Sequence, residues 1–214
     1  HRDPWCIKRP DHAVLVRFGG NIVARTGEDG QERFDVVNAE VVKCIPYDVP
    51  IIGFQTRTVN TLRLWTAESP DGFDLQLFND MHYQRAVQKA NQAEDLSRVL
   101  YPNDSGPSGK ALRLKQQYFF VSASLQDILR AFKLRRGNDL SKLPEYAAIQ
   151  LNDTHPVVAI PEMMRLLLDE EHLGWDEAWA IITKLFAYTN HTILSEALEK
   201  WPIDLFSNTL PRIY

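Results

Sequence analysis

Between Ala147 and Trp201 two apolar runs each end in a polar cluster containing an amide, a hydroxyl and a histidine. The first passes from Ala147-Ala148-Ile149-Gln150-Leu151 into Asn152-Asp153-Thr154-His155-Pro156, and the second from Leu185-Phe186-Ala187-Tyr188 into Thr189-Asn190-His191-Thr192. Between them, Met163, Met164, Leu166, Leu167 and Leu168 form an apolar face opposite Glu162, Arg165, Asp169 and Glu170, the period of a crossover helix. A second helical pattern follows at Asp176 to Lys184. This arrangement predicts a βαβ unit over residues 147–192. Parallel strands joined by crossovers end on the same edge of their sheet, so Asp153, His155, Asn190 and His191 are expected to converge there. Asn, Asp and Thr are also ordinary helix caps and turn formers, which is the plainer reading of either cluster.

Upstream the period changes. Residues 1–57 read as β-rich: Val14–Phe18 and Ile22–Ala24 flank Gly19-Gly20-Asn21, a hairpin signal, and Glu28-Asp29-Gly30 is a second turn. Lys43–Pro50 contains two prolines and reads as an edge or extended strand. Thr58–Trp65 is a cleaner strand, in which Leu62, Leu64 and Trp65 are expected in the core. From Asn79 to Leu100, Ala86, Val87, Ala90, Ala93, Leu96, Val99 and Leu100 recur at helical steps, with Asn79 or Asp80 as cap. Pro102 ends that helix, and the Pro/Gly-rich stretch 101–110 reads as a surface loop. A long helix then runs from about Lys110 to Leu134, stopped by Gly137. The whole is α/β, with a β-rich part over 1–78, long helices over 79–136 and the βαβ part over 147–214.

Composition alters this picture little. The 214 residues carry 28 acidic and 24 basic side chains, a net charge of −4 spread along the chain, with no basic block of the kind nucleic acid requires. Apolar runs are too short for a membrane span, which sets the expectation of a cytoplasmic protein. Cys6 and Cys44 lack metal-ligand spacing, and Asp153-x-His155 has no third ligand at supporting distance, so no metal site is expected. Nucleophile-elbow and phosphate-cradling glycine motifs are absent from the sequence. The residues at the strand ends, Asn, Thr, Asp and His, suit a polyhydroxylated ligand, because a sugar hydroxyl both donates and accepts.

Five runs, Asn60–Trp65, Leu100–Asp104, Leu112–Tyr118, Gln150–Pro156 and Ala187–Thr192, resemble the α-glucan phosphorylases in order and spacing. Those enzymes release glucose 1-phosphate from α-1,4-glucan with inorganic phosphate, use pyridoxal phosphate, and face two Rossmann-like domains across a cleft. The resemblance implies a fragment of the amino-terminal domain of that two-domain glycosyltransferase fold, with the cofactor lysine and the acid, base and phosphate-handling groups outside this chain. It implies that His191 hydrogen-bonds the hydroxymethyl group of the reacting glucose. By the same resemblance Asp153 and His155 lie on the glucan-acceptor side, Asn103 and Asp104 in a gate loop over 101–110, and Arg113 along the cleft. The 79–100 helix is similar to a homodimer contact. Ser105 departs from the asparagine that many members carry there, and Ala131 from the second of two arginines that animal enzymes use for a nucleotide activator. On this reading the chain supplies binding and orienting groups and is inactive alone; its alternative is a non-catalytic glucan-binding or dimerising module.

Overall fold

The computed structural model of the chain describes residues 3–70, 79–195 and 198–214. In chain order β1 (Ile7–Lys8), β2 (Val14–Phe18), β3 (Asn21–Thr26), β4 (Glu32–Val37), β5 (Glu40–Ile52) and β6 (Val59–Glu68) come first. Helices α1 (Tyr83–Arg98) and α2 (Pro107–Arg136) follow, then a short turn of helix α3 (Leu143–Tyr146), β7 (Ile149–Asn152), α4 (Ala159–Arg165), α5 (Trp175–Leu185), β8 (Phe186–Thr189) and α6 (Ile203–Thr209). The architecture is mixed α/β.

The first sheet is antiparallel and built on β5, which pairs with β6 along one edge and with β2 and then β1 along the other. The hairpin expected between β2 and β3 does not form. Gly19 and Gly20, at φ +63 and +85, turn the chain out of the sheet, and β3 pairs with β4 through the turn at Glu28-Asp29-Gly30. Lys43–Pro50, expected at an edge, is instead the middle of the central strand. The prolines are tolerated because of which way they face. The Pro46 carbonyl accepts from Arg9 N, so the donor that residue lacks points into the gap between β1 and β2, and Pro50 has the same parity beyond the end of β1. The ladder to β6 uses the odd-numbered residues and is untouched.

Period-2 alternation also corrects the core of β6. Trp65 and Ala67 are buried, whereas Leu62 and Leu64 are 48% and 49% exposed on the opposite face. Arg63, on the inner face, lies opposite Asp48 and grips both its carboxylate oxygens at 2.7 Å, then reaches Asp127 of α2 with Nη1 at 2.8 and 2.9 Å. That hydrogen bond and charge hold the Asp48 carboxyl below its ordinary range. His12 closes the same seam. Its Nδ1 faces Arg63 at 3.1 Å and Arg130 at 3.5 Å, and its Nε2 faces Arg9 at 3.0 Å and Asp11 at 3.3 Å, so three guanidinium groups and a carboxylate surround the ring. Burial, then the charges of Arg130 and Arg9, push the His12 pKa down.

Helix α1 begins at Tyr83 rather than Asn79, after Met81 at positive φ, and its last turn is Arg98, so Val99 and Leu100 are exposed loop residues. Ala93 and Leu96 are buried; Ala86 and Ala90 lie outside the residues whose side chains are described. The next helix starts at Pro107, which suits its first turn, so the loop covers 99–106 and not 101–110. α2 ends at Gly137, whose φ of 87 and ψ of −169 belong to a region only glycine occupies readily.

α2 serves two apolar clusters. Its first half, through Leu114, Tyr118, Phe119 and Ala123, packs on the inner face of the sheet with α1; its second, through Leu125, Leu129 and Phe132, packs on β7, α4 and α5. The crossover of the βαβ unit is α4, a π-helical turn at Leu166–Glu170 and α5, and β7 and β8 are parallel as expected. Met163, Met164, Leu166 and Leu167 supply the buried face. Glu162, fully buried, fastens α4 to α2. It accepts Tyr118 Oη at 2.7 Å, Ser122 Oγ at 2.6 Å and Arg165 Nε and Nη2 at 2.7 and 2.9 Å. Burial and the Glu162 charge push the Tyr118 phenol up. Burial works against the Arg165 charge, but Glu162 beside it more than offsets that and raises the Arg165 pKa.

Candidate functional site

The carboxyl ends of β7 and β8 lie side by side, with Asn152 opposite Thr189 in the register. The ladder runs one step further: Asp153 N donates to Thr189 O at 2.8 Å, and in return Asp153 Oδ1 accepts His191 N at 2.8 Å. Asp153 reaches this geometry at φ +61, a conformation that aspartate tolerates better than most residues. The His191 ring lies over β7, with Nε2 against Asn152 Oδ1. With the amide oxygen facing it, Nε2 carries the proton and Nδ1 is left as an acceptor. Gln150 Nε2 donates to Thr189 Oγ1 at 2.9 Å below this layer. Asp153 and His191 are therefore brought together, whereas the Asn190 side chain turns back to accept Thr192 N at 3.3 Å.

His155 belongs to a neighbouring group. Its Nδ1 lies 3.5 Å from Arg113 Nη2 and 3.6 Å from Glu199 Oε1, both longer than a strong hydrogen bond, and its ring meets Tyr101 edge-on with centroids 6.1 Å apart. Arg113, two turns into α2, divides its fork between Asp104 Oδ2 at 2.8 Å and Glu199 Oε1 at 2.6 Å. Gln117, one turn on, donates to both Glu199 oxygens at 2.9 and 3.1 Å. Asn103 is spent locally, its Oδ1 accepting Ser105 N at 3.0 Å in a turn that sets the direction of Asp104. Arg113, Asp104 and His155 are thus gathered and Asn103 stands behind them. An apolar cleft of about 190 Å³ opens beside this group, between Leu100, Tyr101, Phe120 and Pro156.

Glu199, Gln117 and Tyr101 were not singled out among the sequence candidates. Gln117 was open to discovery, since it stands one turn from Arg113 on the same helix face. Glu199 lies in an irregular segment with no period to mark it. Among the described residues no group of three or more His, Cys, Asp or Glu could hold a metal ion, and no helix is long and apolar enough to cross a membrane.

A parallel βαβ unit with hydrogen-bonding side chains at its strand ends, joined through one long helix to an antiparallel sheet, defines a mixed α/β protein with its polar site at the strand termini. Over residues 1–214 the sequence matches the family model described as carbohydrate phosphorylase. It is 50% identical over 210 residues to the glycogen phosphorylase of Synechocystis sp., 49% over 210 residues to that of Chlamydia pneumoniae and 48% over 217 residues to the human liver form. Each alignment covers 98% of this chain and 25% of the relative, so the chain spans about a quarter of the length of the curated relatives it matches. The chain belongs to the carbohydrate phosphorylase family.

Proposed function

We propose that the chain is part of the amino-terminal, Rossmann-like domain of a glucan phosphorylase and forms the sugar-binding side of its active site. In the whole enzyme inorganic phosphate would cleave α-1,4-glucan from its non-reducing end to give glucose 1-phosphate. The observation that carries the reading is the tie between Asp153 and His191 across the two parallel strands, which fixes an imidazole, an amide and a carboxylate in one layer. Such groups match sugar hydroxyls in fixed directions. Phosphorolysis passes through an oxocarbenium-like sugar, and holding the ring hydroxyls lowers the entropic part of that barrier. The roles proposed are binding the reacting glucose for His191, and facing the acceptor side for Asp153 and His155. Arg113 and Asp104, with Asn103 behind them, form the mouth of the site at the 99–106 loop.

Pyridoxal phosphate, the cofactor the family resemblance implies, would supply a phosphate group for proton transfer. The residues gathered here do not fit it: Arg113, the cation among those named, is already shared by two carboxylates. In this proposal the cofactor lies outside the chain, the protein is cytoplasmic, and α1 contributes a homodimer contact through the face bearing Tyr83 and Val87, both exposed.

Titration of the chain with maltopentaose, followed by calorimetry, tests the reading. Binding is expected, weakened roughly three- to tenfold by His191→Ala, as for the loss of one hydrogen bond. Equal affinity in the variant would remove His191 from the site. The chain alone is expected to release no glucose 1-phosphate from glucan and phosphate, and appreciable release would overturn the assignment of the catalytic groups to other parts of the enzyme.

A further inference from the structure

Glu199 lies between β8 and α6, and its side chain is only 13% exposed. A carboxylate so far out of water needs its charge compensated, and α2 supplies both donors: Arg113 Nη2 at 2.6 Å and, one turn on, Gln117 Nε2 at 2.9 and 3.1 Å. Two donors from one helix hold the carboxylate in place. The guanidinium is a rigid plane, so pinning Nη2 to Glu199 also sets where Nη1 points. Nη1 points at Asp104 Oδ2, 2.8 Å away. Asp104 is 46% exposed and stands on the 99–106 loop, which enters α2 without a side-chain cap. The contacts therefore run in series: Glu199 fixes Arg113, and Arg113 fixes the loop.

We propose that Glu199 is a positioning residue which, through the Arg113 fork, ties the 99–106 loop to the segment between β8 and α6. His155, two residues past Asp153, sits beside the junction, 3.5 Å from Arg113 Nη2 and 3.6 Å from Glu199 Oε1. Displacing the loop withdraws Asp104 from Nη1 and frees the guanidinium to rotate toward Glu199 and His155. Displacing Glu199 releases the loop. The ligand named for the site rests on the glucan reading; the tie itself does not.

Hydrogen exchange of the full chain, resolved to the amides of 99–106, tests the tie. Glu199→Gln keeps the shape of the side chain and removes its charge, and is expected to speed exchange in the loop about tenfold, as for one charge-assisted hydrogen bond, while the centre of α2 is unchanged. Arg113→Lys keeps the charge but has no fork, and is expected to loosen the loop equally; a role in which only the charge matters would leave it protected. Asp104→Asn is expected to loosen it too, and adding Glu199→Gln to it to bring no further increase. Unchanged loop exchange in Glu199→Gln, or additive effects in the double variant, overturns the proposal. Should Glu199→Gln unfold the chain, Arg113→Lys and Asp104→Asn decide by the same measure. Maltopentaose titration of the same samples separates the two readings. A wild-type chain that binds no sugar refutes the glucan assignment and leaves the tie to stand on exchange. One that binds sugar, with a loop indifferent to Glu199→Gln, refutes the tie alone.

Discussion

Replacing Glu162 with Leu is expected to be among the most damaging single changes in this chain. The carboxylate is fully buried and takes four donors, two from Arg165 and one each from the Tyr118 and Ser122 hydroxyls. Losing it leaves a guanidinium whose side chain is 17% exposed with Glu170 as its remaining carboxylate partner, at a cost of about 3–5 kcal/mol for a broken buried pair. Each stranded hydroxyl adds roughly 1–3 kcal/mol, less whatever local relaxation recovers. A loss of at least ~4 kcal/mol follows, a large part of the 5–15 kcal/mol that ordinarily separates folded from unfolded domains. The quadruple variant Glu162→Leu, Arg165→Met, Tyr118→Phe, Ser122→Ala removes every orphaned group together and keeps the volume close. It is expected to return to within about 2 kcal/mol of the parent, since a buried ion pair is worth little beyond an apolar replacement. Urea unfolding at pH 7, followed by both tryptophan fluorescence and far-ultraviolet circular dichroism, measures these differences at constant slope. A single variant that loses under about 1.5 kcal/mol, or a quadruple variant no better than the single, would refute the reasoning.

Two further changes test other parts of the fold. His12 has its pKa depressed by burial and by Arg130 and Arg9, so below the ordinary histidine range the unfolded chain takes up a proton that the folded chain resists. Its contribution is full above about pH 6.5 and is lost as pH falls toward the depressed value. Urea midpoints at pH 7.5 and 5.5 should differ more in the parent than in His12→Gln, and an equal difference in both would exclude His12 as the source. Gly137→Ala meets no atom within 4 Å of the added methyl group, so its cost is that of the backbone alone, about 1–3 kcal/mol. A thermal midpoint equal to that of the parent would show that α2 does not depend on that stop.

What could be read from the sequence follows from how local each cause is. The βαβ unit was legible because its signals are local: apolar runs, a crossover helix of matching period, and polar clusters where the strands end. The parallel pairing of β7 and β8 and the approach of His191 to Asp153 followed from topology. Pro46 and Pro50 misled because a proline's effect on a strand depends on which edge its missing donor faces, and that depends on partners about 40 residues away. Leu62 and Leu64 misled because composition marks a strand as apolar without saying which face is covered. Glu199 was invisible for a different reason: an isolated acid in an irregular segment acquires meaning only when Arg113, 86 residues earlier, is placed against it.

The two prolines of β5 have a consequence for solubility. Among the described residues the edge of β5 beyond β1 has no paired strand, and an edge of that kind offers its backbone to any extended chain that drifts alongside. On that edge Pro50 contributes a carbonyl and no donor, and at Pro46 the carbonyl is already taken by Arg9. An incoming strand therefore finds a broken row of donors where it would need a continuous one. The residue that looked like a defect, Pro50, thus interrupts the open edge of the longest described strand.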